Sequence, residues 1–77
     1  MAMDSLTAQD RAMLDLEREW WSTSGGKETA IVERVGLSPV RYYQRLNRLL
    51  DTAAALAHDP VTVNRLRRTR AKGRADG

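Results

Sequence analysis

The chain contains no cysteine and only one histidine, His58. Without thiols there is no disulfide framework and no thiolate-held metal, so a fold this small must be held by helix packing or by self-association. His58 precedes Asp59-Pro60 with no second ligand-type residue patterned around it, so a metal centre or a general base would lack its other groups. No apolar run approaches the roughly 20 residues that cross a bilayer. Asp4 stands where a signal peptide would be basic. A phosphate-cradling glycine loop, a nucleophile elbow, zinc-type spacing and an internal repeat are all missing. Asp15, Glu17 and Glu19 alternate around a helix and do not converge as an acid pair. These absences lead us to expect a soluble, cytoplasmic protein that is no enzyme, takes no cofactor and has no small-molecule substrate.

What is present is a divided charge. The 77 residues suit one domain with one core, and a chain of this size buries only about 60% of the surface its unfolded form exposes. The formal charge of +3 conceals two unlike halves. Residues 1 to 33 carry seven acids against three bases, whereas residues 34 to 77 carry ten bases against three acids. A basic half on a small domain marks a polyanion partner, because each Lys or Arg that neutralises a phosphate releases condensed counterions. Duplex DNA is the first expectation and RNA the second. A membrane surface is not expected, because residues 65 to 74 have no apolar face opposite their arginines.

The elements follow from caps and periodicity. Residues 1 to 7 form a lead, and Thr7 with Asp10 resembles a capping box that opens a helix from about Ala8 to Trp21. Met13, Leu16 and Trp20 share one stripe of that helix, and Leu14 and Trp21 share another. One tryptophan should anchor the core, while Trp21 with Leu14 is the candidate contact of a homodimer. Ser22 to Gly26 should be a turn, followed by a second helix from about Lys27 to Val35 that buries Ala30, Ile31 and Val35. Gly36 stands where a left-handed C-cap is expected. Leu37 plugs the corner, Ser38 caps and Pro39 opens a third helix running to about Leu50. Its inward face is Tyr42, Leu46, Leu49 and Leu50. Thr52 starts an alanine-rich turn, and Asp59-Pro60 opens a fourth helix with Val63 and Leu66 as anchors. The helical domain is thus expected over residues 8 to 66, with residues 67 to 77 a basic tail whose order fades. The fold class is an all-α bundle of three to four helices.

Glu28 to Leu50 carries the functional signal: a helix, the corner Gly36-Leu37-Ser38, and a second helix. With Ile31, Val35 and Tyr42 at the crossing, this segment resembles the helix-turn-helix of bacterial repressors and of the promoter-recognition part of sigma factors. The wider chain resembles a family of small actinobacterial and actinophage proteins, a domain of unknown function to which a DNA-binding role is ascribed. That likeness rests on Gln9-Asp10-Arg11-Ala12-Met13-Leu14, on Glu19-Trp20-Trp21, on Arg41 to Asn47, and on Asp59-Pro60 leading into Arg65-Leu66-Arg67-Arg68.

In a major groove, the third helix would offer Arg41 and Arg45 to guanine and Gln44 to adenine, with Arg48 as a further base contact. Ser38 and Tyr43, with Arg65, Arg67, Arg68, Arg70, Lys72 and Arg74, would meet the backbone. The expected function is therefore a DNA-binding transcriptional regulator or nucleoid-associated protein. The alternative is an adaptor that touches the transcription machinery through its acidic first helix and an exposed tryptophan.

Overall fold

The computed structural model describes residues 6–76, with side chains through Lys72. Every regular element among them is helical: α1 (Ala8–Arg18), α2 (Ser24–Ala30) prolonged by a π-helical turn (Ile31–Val35), α3 (Pro39–Leu49), α4 (Ala53–His58) and α5 (Pro60–Asp76). The expected all-α bundle is present, with five helices in place of three or four, because the alanine-rich turn after Thr52 closes into α4. None of these helices is long and apolar enough to cross a membrane.

Each start has a side-chain cap. Thr7 Oγ1 accepts from Asp10 N at 3.0 Å while Asp10 Oδ2 accepts from Thr7 N at 3.1 Å, a reciprocal pair that satisfies two otherwise orphaned donors. Thr23, Ser38 and Thr52 accept from the third residue of α2, α3 and α4 in the same way. Asp59 Oδ1 accepts from Thr62 N at 3.2 Å at the head of α5. Burial works against ionisation of the Asp59 carboxyl, but the Thr62 hydrogen bonds and the charges of Arg18 and His58 hold it below its ordinary range. Capping by Thr23 places Ser24, Gly25 and Gly26 inside the first turn of α2, so the expected turn ends earlier than its glycines suggested.

α1 is shorter than its pattern predicts. It ends at Arg18, and Glu19 is extended with ψ 151°. Its last carbonyls are taken by groups outside the ladder: Leu16 O accepts from Glu19 N and from Trp21 Nε1, both at 3.2 Å. Glu17 O accepts from Arg65 Nη2 at 2.5 Å. The break swaps the two tryptophans. Trp21 folds back against the core, and Trp20 is 85% exposed. Leu14 is wholly buried, so the proposed Leu14–Trp21 contact patch is not a surface; the exposed tryptophan is its neighbour.

The core unites Met13, Leu14 and Leu16 of α1 with Ile31, Val35, Tyr42, Leu46, Leu49, Leu50, Ala55 and Val63. At its centre the Tyr42 hydroxyl donates to Glu17 Oε2 at 2.5 Å and lies 3.3 Å from Met13 O. Lys27 Nζ stands 3.0 Å from both carboxylate oxygens of Glu17. One buried carboxylate therefore joins α1, α2 and α3 through a charged and a neutral donor. A buried charge is tolerated only when it is paired and hydrogen-bonded.

Beyond Leu66, where order was expected to fade, α5 continues unbroken to Asp76. Its arginines find acceptors at the ends of other helices. Arg67 Nε donates to Leu50 O at 2.7 Å, Arg70 Nη1 to Asn47 O at 3.2 Å, and Arg70 Nη2 to Asp51 Oδ1 at 2.8 Å. The carbonyl end of a helix carries partial negative charge, which is where cations stabilise it. α5 thus clasps the C-terminal ends of both α1 and α3.

Candidate nucleic-acid interface

The corner that aims α3 is built as expected. Gly36 has φ 81°, in the left-handed region, and its N–H donates to Ile31 O and Val32 O at 3.1 Å each. The second of those bonds is an ordinary helical closure and the first spans five residues, the mark of a π turn. The widened turn keeps Ile31 and Val35 inside while Val32 is 53% exposed. Ser38 Oγ then accepts from Arg41 N at 3.3 Å and α3 begins.

With Tyr42, Leu46 and Leu49 turned inward, the opposite face of α3 carries its cations. Arg41, Gln44, Arg45 and Arg48 line one open groove of about 480 Å³, together with Leu37, Leu49, Thr52 and Asp10. All four predicted base-contacting residues are exposed and share this surface. Arg45 Nε is 3.6 Å from Asp10 Oδ1, an ion pair longer than a hydrogen bond. Arg41 and Arg48 have no carboxylate within salt-bridge distance among the described residues.

The predicted backbone contacts do not stay together. Arg65, Arg67 and Arg70 point inward to carbonyls, so the clasp uses the cations that were expected to meet phosphate. Arg68 and Lys72 are exposed and lie outside that clasp, while the Arg74 side chain lies outside the described residues. Tyr43 sits on the other flank of α3. Its ring packs edge-on against Tyr42 with centroids 5.0 Å apart, and Lys27 Nζ lies 5.5 Å from its centroid. It is 42% exposed but does not line the groove. Ser38 remains exposed as the cap of α3.

Two groove residues escaped the sequence reading. Asp10 was legible as the acidic member of the capping box, and only the packing of α1 beside α3 turns it toward Arg45. Thr52 was legible as a cap for α4, and the turn after α3 carries it back to the groove.

A family model described as "Protein of unknown function (DUF3263)" matches residues 5–76. Nothing among the curated proteins or the solved structures matches the chain.

Proposed function

We propose that this chain, which belongs to the DUF3263 family, is a DNA-binding protein that lays α3 in a major groove, as a transcriptional regulator or nucleoid-associated protein. The observation that carries the reading is the groove face of α3, where Arg41, Gln44, Arg45 and Arg48 converge and two of the three arginines have no acidic partner among the described residues. A helix face that unites guanidinium forks with one amide suits guanine and adenine edges, which display the O6/N7 and N6/N7 pairs those groups bond. Arg68 and Lys72, exposed on α5, add phosphate contacts. The clasp from Arg67 and Arg70 contributes indirectly, by holding the C-terminal end of α3.

Fluorescence anisotropy on duplex DNA across a salt series tests the reading. Arg68 and Lys72 on two phosphates give a log–log salt slope of roughly −2, at about −0.9 per phosphate, with the groove arginines left to the base edges. Arg68→Ala should weaken all duplexes alike, whereas Arg45→Ala should relax base preference. A shallow slope with weak binding to every duplex overturns the proposal, and tighter binding to RNA of equal length redirects it to RNA.

Trp20 favours a second reading, that of an adaptor to the transcription machinery. An 85% exposed tryptophan beside Glu19 and the acidic α1 is a feature of protein contacts. In that case Trp20→Ala abolishes partner binding and leaves the salt slope on DNA untouched.

A further inference from the structure

We infer that Asp10, from the first turn of α1, is a positioning residue that holds Arg45 for reading a guanine; the inference rests on the DNA-binding proposal above. A carboxylate is a poor neighbour for phosphate, yet Asp10 lines the same groove as the three arginines of α3. Its position is fixed from two sides. Oδ2 accepts from Thr7 N at 3.1 Å, and Asp10 N donates to Thr7 Oγ1 at 3.0 Å. Only 16% of the Asp10 side chain is exposed, against 46% for Arg45.

The contact uses a particular edge of the guanidinium. Asp10 Oδ1 lies 3.6 Å from Arg45 Nε, leaving the terminal Nη pair of this groove-lining side chain without a hydrogen-bond or ion-pair partner among the described residues. That pair is the fork that matches guanine O6 and N7. An arginine with free rotamers must be ordered when it binds, which subtracts from affinity and lets it settle on a phosphate instead. A fixed carboxylate behind Nε restricts that search. Asp10 therefore supplies orientation, and Arg45 supplies the base contact.

The test uses a duplex selected by the full chain from a random-sequence pool, and a matched duplex with one G·C pair exchanged for A·T. Arg45→Ala identifies its base pair as the one whose exchange no longer matters, a loss of roughly 5- to 150-fold in preference. Asp10→Asn should lose most of the preference at that same pair, and Asp10→Asn/Arg45→Ala should lose no more than Arg45→Ala alone. Thr7→Ala is the structural control: it removes half of the same helix cap but leaves the carboxylate, and should keep the preference. Circular dichroism melts set a temperature at which every variant is folded.

Unchanged preference in Asp10→Asn, or equally tighter binding to both duplexes, overturns the inference while the DNA-binding proposal stands. So does an Arg45→Ala variant that changes preference at no pair, or a Thr7→Ala variant that loses it as fully as Asp10→Asn. A wild-type chain with no salt-steep duplex binding removes the DNA-binding proposal, and this inference with it.

Discussion

The Tyr42 hydroxyl donates to Glu17 Oε2 at 2.5 Å across 25 positions of sequence, and Lys27 Nζ stands 3.0 Å from both oxygens of the same carboxylate. The helix that bears the groove arginines is thereby pinned on its inner face to α1 and α2. The cationic surface is positioned from behind, by a charge that solvent hardly reaches.

Tyr42→Phe keeps the ring and removes the donor. The expected loss is about 1.5–3 kcal/mol, the range for a hydrogen bond to a charged group. Urea unfolding should show a lower midpoint at unchanged m-value. Burial first, and then the hydrogen bond to Glu17, push the Tyr42 hydroxyl above its ordinary value of 10.0. A folded-state value raised above the unfolded one gives stability that is complete below pH 10 and declines above it, as the unfolded tyrosine ionises. The stability gap between wild type and Tyr42→Phe should therefore narrow from pH 9 to pH 11. A constant gap would mean that Tyr42 is not desolvated in solution.

Gly36→Ala should destabilise by about 1–2 kcal/mol, the cost of a left-handed conformation for a residue with a Cβ. Nothing lies within 4 Å of the added methyl, so the penalty is conformational and not steric. Gly36→Asn should cost less, since Asn tolerates that region better. Thermal melts of the two variants rank them, and equal melts would contradict the φ of 81°.

Arg70→Ala breaks the bonds to Asn47 O and Asp51 Oδ1, and Arg67→Ala breaks the one to Leu50 O. Amide hydrogen exchange should accelerate both at the C-terminal turn of α3 and along α5 beyond Leu66. Arg68→Ala, outside the clasp, should leave exchange unchanged. Acceleration confined to α5 would show that the clasp does not brace α3.

Trp20→Ala should change stability by no more than about 0.5 kcal/mol, as for an exposed side chain away from special contacts. Trp21→Ala loses core contact and the Nε1 bond to Leu16 O, so a loss of about 3 kcal/mol is expected. Fluorescence separates them as well. The Trp21→Ala variant, with only Trp20 left, should emit as a water-exposed indole, and the Trp20→Ala variant at shorter wavelength.

Local signals in the chain were sufficient wherever one side chain acts on its own backbone. Thr7 with Asp10, Ser38 with Pro39, Asp59 with Pro60, and Gly36 each announced a helix boundary, because caps and left-handed turns involve residues at most a few positions apart. The inward face of α3 was equally plain from 3.6-residue periodicity, and the four groove residues followed as its complement. Tertiary structure alone decided which tryptophan stays outside, since the end of α1 depends on Leu16 and Glu17 carbonyls being taken by Trp21 and by Arg65, 48 positions away. It also decided that Arg67 and Arg70 clasp α3 and that Asp10 faces Arg45. A charged side chain looks the same in sequence whether it meets solvent, phosphate or a helix end, and only packing brings one of those within its reach.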